Sequence, residues 1–479
     1  MKDTEQTLLS RLPEEFCRRM RALLGEDYAA FEAAYRAPLR RGLRINTLKC
    51  GQEQLLSAMD RPLSPTPFAA DGYYLEGEHR AGADPLHHAG AYYMQEPSAM
   101  AAVTILRPHP GERVLDLCAA PGGKSTQIAA AMAGEGILWA NEYVHARARV
   151  LAQNIERCGV RNAVISSADA GGLCRALSGW FDAVLVDAPC SGEGMFRKEP
   201  AALAQWGMEN IALCAARQTQ LLDAAALAVR PGGRLVYSTC TFAPEENELQ
   251  IMGFLRAHPD FEPESCGVAF GRPGLPASRL AGFAGSAQAG ADARYDPDAC
   301  RRIFPCDNTD SMGAGGEGHF VALLRRRDGE RSSVPEYAYP KNTYGKEIEK
   351  LYNECFGAAP YGVPAAAGGL VRLLPEGLPA LQGLGVLTAG VTAAEICRGR
   401  LEPAHALFMA AHRAADCRSA VDLPPKDPRA AAYLRGMPIE APGLSGWSAA
   451  AICGVVCGFG KASGGVLKNR YPKGLRLRR

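Results

Sequence analysis

The sequence predicts an α/β protein built on a Rossmann-like parallel sheet. Three observations carry that prediction. The chain has 479 residues, enough for about two to four domains with cores of their own. Between Gly90 and Arg327 short apolar runs alternate with helical stretches, the pattern of a parallel sheet covered by helices. The first of those runs ends in a turn of small residues that opens directly into a helix. Hydrophobic residues make up 47% and charged residues 22%, a composition that argues against a largely disordered chain. No apolar run approaches the roughly 18 residues of a membrane span. The polar start MKDTEQ lacks a secretory pattern, so a cytosolic protein is expected. Sixteen cysteines without a CxxC predict reduced thiols, with neither a disulfide scaffold nor a zinc site.

Taken in order, residues 1–85 combine a helical pattern with an Arg-rich extended stretch and a Pro/Gly-rich passage, predicting a small N-terminal α/β module. Residues 86–327 hold the sheet. Its predicted strands are Arg113–Cys118, Ile137–Glu142, Ala163–Ser167, Phe181–Asp187 and Arg234–Thr239, with a last one in Gly318–Arg326. Helices are predicted over Ser125–Met132, His145–Cys158 and Leu213–Val229. Pro273–Gly316 reads as an irregular insertion. Residues 328–391 read as a linker and a middle module, and 392–479 as a last compact domain. Residues 36–49 hold four Arg and one Lys, and residues 461–479 hold seven Lys and Arg, with no acid in either. Basic segments on a mildly acidic body point to a polyanionic partner.

The stretch RVLDLCAAPGGKSTQ carries the first chemistry. After the strand come Cys118, Ala119, Ala120, Pro121, Gly122 and Gly123, and a helix begins at Lys124. Small residues let a ligand approach the backbone, and a helix N-terminus offers unpaired N–H groups. A phosphate-binding GxxxxGK[ST] loop fails because Cys118 stands at its first glycine, and GxGxxG is absent. Acids follow at the ends of the second, third and fourth strands: Glu142, Asp169 and Asp187. Carboxylates suit ribose hydroxyls, an amino-purine edge and a cationic centre, all present in S-adenosylmethionine, and they repel phosphate.

Two of the strands also run into a cysteine, Cys190 in VDAPCSGEGMFRKEP and Cys240 in YSTCTFAPEENE, at the edge where ligands bind in such sheets. A buried cysteine is usually a small hydrophobe, but polar turns surround these two. Thiols and a carboxylate beside a methyl donor point to cytosine C5 methylation. A thiolate added at C6 makes C5 nucleophilic, and a carboxylic acid at N3 stabilises the charge that builds.

Cys118–Ser125, DAPCSGEGMFRKEP and STCTFAPEENE resemble the motifs of the NOL1/NOP2/Sun family of RNA cytosine-5 methyltransferases. RINTLK (Arg44–Lys49), MQEPSAM (Met94–Met100) and RIFP with GEGHFVALL (Arg302–Leu324) agree, and GFGKASGGVLKNRYPKGLR resembles the end of the small-subunit ribosomal RNA enzymes of this family. The resemblance implies a class I S-adenosylmethionine-dependent methyltransferase sheet with a C-terminal PUA-like β-rich domain. It implies Cys240 as nucleophile, Cys190 in product release and Asp187 in base activation. It places S-adenosylmethionine on Cys118–Lys124, Glu142, Asp169 and Asp187. RNA contacts are expected from Arg44, Arg197, Lys198, Lys461, Lys468, Arg470, Lys473 and Arg476. The implied partner is ribosomal RNA or the small subunit, with no metal, no membrane and a monomeric enzyme. Two other readings are a DNA cytosine-5 methyltransferase, with the Pro-Cys cysteine as nucleophile, and a non-catalytic RNA-binding assembly factor.

Overall fold

A computed structural model describes residues 9–77, 80–283, 293–307, 313–330, 333–340 and 344–477. Its centre is a large mixed sheet. Five parallel strands, Arg113–Asp116, Ile137–Asn141, Ala163–Ser166, Phe181–Asp187 and Val229–Thr239, come first in the chain. Val229–Thr239 pairs with Phe181–Asp187, which pairs with Arg113–Asp116, then Ile137–Asn141, then Ala163–Ser166. The order therefore reverses between the first and fourth strands, which opens a crevice at their carboxyl ends. His319–Arg326 adds antiparallel to Val229–Thr239, and Cys300–Ile303 pairs antiparallel to it in turn. That last strand lies within the predicted irregular insertion. Its four residues, CRRI, set two adjacent arginines between a cysteine and an isoleucine, so no strand-like alternation marks it in the sequence. Part of the insertion, residues 284–292 and 308–312, lies outside the described residues.

The parallel strands are buried from both sides, which is why they read as continuous apolar runs. One face packs Trp139, Phe181 and Val184 against the helix Met208–Ala228. The other packs Val114, Leu138 and Leu185 against the helices Ala101–Leu106, Gly123–Ala131 and His145–Arg157. Each such side chain, fully buried, contributes about 1.5–3 kcal/mol.

Two predicted domain boundaries fall inside folded units. The N-terminal sheet runs Leu63–Pro65, Gly72–Leu75, Arg41–Ile45, Tyr92–Met94, so the boundary at 85/86 cuts off its last strand. The Pro/Gly-rich passage, residues 61–85, itself holds two of those strands, Leu63–Pro65 and Gly72–Leu75. Likewise 391/392 splits a four-stranded sheet of Val363–Ala367, Leu370–Leu374, Val391–Cys397 and Arg400–Pro403. Val386–Ala389, just before that cut, pairs with Ala163–Ser166 and extends the edge of the central sheet. The last unit is a five-stranded sheet in the order Ala420–Leu423, Gly446–Ile452, Val455–Ser463, Val466–Asn469, Ile439–Glu440.

The first and last units meet directly. Leu43, Ile45 and Tyr92 share a core with Tyr433, Val455 and Tyr471. The buried Lys49 donates from Nζ to the Val456 carbonyl at 2.8 Å, and Gln54 Nε2 donates to the Cys453 carbonyl at 2.6 Å. No helix among the described residues is long and apolar enough to cross a membrane.

Candidate active site

The Leu117–Gly122 turn is fixed between neighbouring strands. Leu117 N donates to the Leu185 carbonyl at 2.9 Å and Ala119 N to the Asn141 carbonyl at 2.8 Å. Gly122 has φ of 112°, in the region that favours glycine, and a Cβ there would meet Leu151 Cδ1 at 3.2 Å. The helix beginning at Gly123 aims Lys124 back over the sheet edge, where Nζ lies 2.7 Å from Asp187 Oδ2.

Of the predicted strand-end acids, Glu142 and Asp187 lie close enough to this turn to act on Cys118. Cys118 is half-buried; desolvation of its thiol, and then Asp116, Asp187 and Glu142, push it far above the ordinary range. Cys118 is thus a packed neutral thiol among three carboxyls. Glu142 is almost fully buried; one of its oxygens accepts the Val144 N–H at 2.9 Å and the other lies 3.2 Å from Arg147. Each carboxylate oxygen has a second lone pair for a ligand hydroxyl. Asp169 is exposed and caps the helix Ala170–Ala176, Oδ2 accepting from Gly172 N at 2.8 Å.

Asp116 joins the set without having been predicted. It is fully buried; Oδ2 accepts from Ser125 Oγ at 2.6 Å, whereas Oδ1 has no hydrogen-bond partner among the described residues. Burial, opposed by the Ser125 bond, pushes its carboxyl up to about 7. Several carboxyls, one with an orphaned oxygen, around a turn of small residues fit a ligand with hydroxyl and cationic groups. They do not fit a phosphate. Among the described residues no group of acids, histidines and cysteines is arranged to hold a metal ion.

Cys190 and Cys240 come from turns fifty residues apart in the chain, yet their Sγ atoms lie 3.3 Å from one another. The Cys240 bond and then burial raise the Cys190 thiol well above the ordinary range. Beside them Asp187 takes hydrogen bonds from Lys124 and from Ser238 Oγ at 2.7 Å, with His319 Nε2 3.8 Å away. Burial raises the Asp187 carboxyl, but Lys124, His319 and Ser238 outweigh it and hold it below the usual range. The sequence predicts a carboxylic acid here; the structure presents a carboxylate, because Lys124, the second residue of the helix Gly123–Ala131, pairs with it. His319 is held down to about 4, by burial and then by Lys124, so it is neutral at pH 7 and charged only in the acid range where Asp187 itself titrates.

The two cysteine turns are cross-tied by acids that the sequence reading left without a role. Glu246, beyond Cys240, accepts Ser191 N at 2.9 Å, Ser191 Oγ, and Gln218 Nε2 at 2.8 Å. Glu193, beyond Cys190, accepts Thr241 Oγ1 at 3.0 Å and Phe242 N at 2.9 Å. From outside, Phe31 of the N-terminal module meets Phe242 edge-on at 5.7 Å, and Phe16 meets Phe196 at 5.0 Å.

The predicted RNA contacts separate into two groups. Arg44 is not at the surface. Its guanidinium is fully buried and donates to Thr126 Oγ1 at 2.8 Å and Gln95 Oε1 at 3.1 Å, because strand alternation turns it inward against the helix of the ligand turn. Arg197 is likewise buried, 3.7 Å from Glu317, and donates to the Ala37 carbonyl. Lys198 keeps partial exposure 3.9 Å from the same acid. Lys461, Lys468, Arg470 and Lys473 are exposed, and Arg476 is half-buried against the Tyr471 carbonyl.

Comparison with known proteins agrees with this division of the chain. The family model described as 16S rRNA methyltransferase RsmB/F matches residues 103–277. The N-terminal domain of RsmF matches 12–97, its first C-terminal domain 352–410 and its PUA domain 420–477. The ribosomal RNA small subunit methyltransferase F of Serratia proteamaculans (strain 568) is 39% identical over 70% of this chain and 66% of its own length. That of Enterobacter sp. (strain 638) is 43% identical over 52% of this chain and 54% of its own. The chain thus matches somewhat over half of these relatives' length. A methyltransferase homologue from Pyrococcus horikoshii, 28% identical, superposes with a TM-score of 0.56 over 67% of this chain and 99% of that one. With four models of one family following each other along its length, the chain belongs to the RsmB/F family of 16S ribosomal RNA methyltransferases.

Proposed function

We propose that this chain methylates C5 of a cytosine in small-subunit (16S) ribosomal RNA with S-adenosylmethionine, through a covalent bond between Cys240 and C6. The observation that carries the reading is the pair of thiols 3.3 Å apart beside the Lys124–Asp187 ion pair. A single nucleophile needs no second cysteine at its side.

When bound, the cofactor supplies the methyl group. Glu142 and Asp169 receive its hydroxyl and amino groups, and the turn Cys118–Lys124 takes its amino-acid end. Cys240 adds to C6 as a thiolate, and the electron pair moves toward N3. Asp187 holds the N3 edge, and Lys124 passes it the proton that N3 takes up; the pair thereby does what a neutral carboxyl would do alone. C5 takes the methyl group, leaving a neutral thioether on the donor, and N3 returns its proton to Lys124; the C5 proton then passes to solvent, the C5=C6 bond re-forms, and Cys240 is expelled as a thiolate with Cys190 assisting. In this reading the last sheet docks RNA through Lys461, Lys468, Arg470, Lys473 and Arg476, with Lys198 nearer the base. The enzyme works as a cytosolic monomer on ribosomal RNA or the small subunit. In support, NSun6 from Pyrococcus horikoshii, 22% identical and of the same fold, was solved with SFG.

A methyl-transfer assay with tritiated donor and ribosomal RNA, DNA and transfer RNA side by side tests it. Label in ribosomal RNA alone, at cytosine C5, is expected. Label in DNA would move the reading to a DNA enzyme, and none in any of them to an assembly factor.

A further inference from the structure

In the last sheet Trp447 stands opposite Lys461 on the neighbouring strand, and Lys461 opposite Lys468 on the next. Residues directly opposite one another project from the same face, so an aromatic ring and two ammonium groups form one row across three strands. Lys461 Nζ lies 5.2 Å from the Trp447 ring centroid and the Arg470 guanidinium 5.8 Å from it. Lys461, Lys468 and Arg470 are exposed, and Trp447 is half-buried, its inner part against Phe459 with ring centroids 5.8 Å apart. The ring also borders an open depression of about 540 Å³ whose lining includes Arg418 and Lys461. In sequence Trp447 opens the Cys- and Ala-rich stretch WSAAAICGVVCGFGK, where a lone tryptophan before small residues carries no sign of a binding role.

We propose that Trp447 is a stacking platform for one unpaired nucleobase of the substrate RNA, with Lys461, Lys468 and Arg470 on the flanking phosphates. An aromatic face among cations matches single-stranded nucleic acid, whose bases expose π-faces next to a charged backbone. A duplex keeps its bases stacked on one another and offers the row phosphates only. The ring's present cation neighbours are consistent with this: a base displaces Lys461 from the ring toward a phosphate, and the cation exchanges one partner for a better one. Arg470 is partly engaged by Glu402 at 3.3 Å, an exposed pair that a phosphate outcompetes at little cost. The inference rests on the reading of the chain as an RNA enzyme and adds which form of RNA the last sheet holds.

The test measures binding of the full chain to a 12-nucleotide single-stranded RNA and to the same sequence as a duplex, by fluorescence anisotropy, with Trp447→Ala, Trp447→Phe and Lys461→Ala. Trp447→Ala should weaken single-strand binding about 5- to 100-fold, the range of one base–aromatic stack, and duplex binding less than twofold. Trp447→Phe should stay within about threefold of the parent. Because Trp447→Ala removes packing on Phe459, intrinsic fluorescence gives a second readout: single-stranded RNA should quench the parent's tryptophan emission, and the Trp447→Phe protein should lose that component. Equal affinity of parent and Trp447→Ala for the single strand, or quenching unchanged in Trp447→Phe, would overturn the platform while leaving the catalytic reading in place. A parent chain that binds neither RNA would overturn both.

Discussion

Glu246 accepts the backbone N–H of Ser191 at 2.9 Å, so the residue beside Cys190 is anchored by the segment that follows Cys240. Burial pushes the Glu246 carboxyl up to about 7, against the hydrogen bonds from Ser191 and Gln218. With Glu193 tied in the opposite sense to Thr241 and Phe242, the distance between the two thiols is set by two crossed links. Glu246→Ala should therefore reduce methyl transfer by about 100-fold, the effect of a displacement near 1 Å at a reacting centre. Cofactor affinity, measured by calorimetry, should stay within a few fold. Loss of both in parallel would make Glu246 a general stabiliser instead.

Glu142 provides the check on the donor site. Glu142→Ala should weaken S-adenosylmethionine binding by about 1–3 kcal/mol through lost charged hydrogen bonds. Unchanged calorimetric affinity would leave Glu142 as the partner of Val144 and Arg147 only.

Arg44 lies in a basic stretch but is fully buried against Thr126 and Gln95. Arg44→Ala should cost on the order of 2–4 kcal/mol of stability, since it strips partners from buried polar groups. Thermal unfolding measures this. The dependence of RNA affinity on salt should not change, because no phosphate contact is removed. A flatter salt dependence would return Arg44 to the RNA-binding surface.

Lys49 links the first and last units with a buried amine that burial holds down to about 7. Its value in the unfolded chain is near 10.5. Between pH 7 and 10.5 the folded form binds fewer protons than the unfolded one, so this residue makes stability rise with pH, by at most about 1.4 kcal/mol per unit. The melting temperature of the parent relative to Lys49→Met should climb from pH 7 to 9. A constant difference would mean that Lys49 stays charged in its interface.

The parallel strands and the ligand turn were legible because burial on both faces leaves uninterrupted apolar runs, and the turn sits where the pattern changes period. Cys190 and Cys240 were legible as strand-end residues, but their 3.3 Å approach was not. It depends on Glu193 and Glu246, which look like surface acids in polar stretches and are buried only because each finds donors on the other turn. Arg44 and Arg197 failed as surface residues for a related reason: a positive charge in the sequence does not say which carbonyl or carboxylate it will meet. The misplaced boundaries came from reading Pro- and Gly-rich passages as exits from a domain. Tyr92–Met94 and Val391–Cys397 instead return to sheets begun earlier in the chain.

The division of labour between the cysteines decides the account, and one denaturing gel tests it most directly. Cys190→Ala and Cys240→Ala are each incubated with substrate RNA and S-adenosylmethionine. A free thiol with a pKa near 8.5 is only a few per cent ionised at neutral pH, so the attacking cysteine must be the one the site positions on the base. If that is Cys240, the Cys240→Ala protein neither methylates nor binds RNA covalently. Cys190→Ala, able to attack but slow to release, gives a retarded protein–RNA band. A persistent band from Cys240→Ala, with none from Cys190→Ala, would contradict the assignment and make Cys190 the nucleophile.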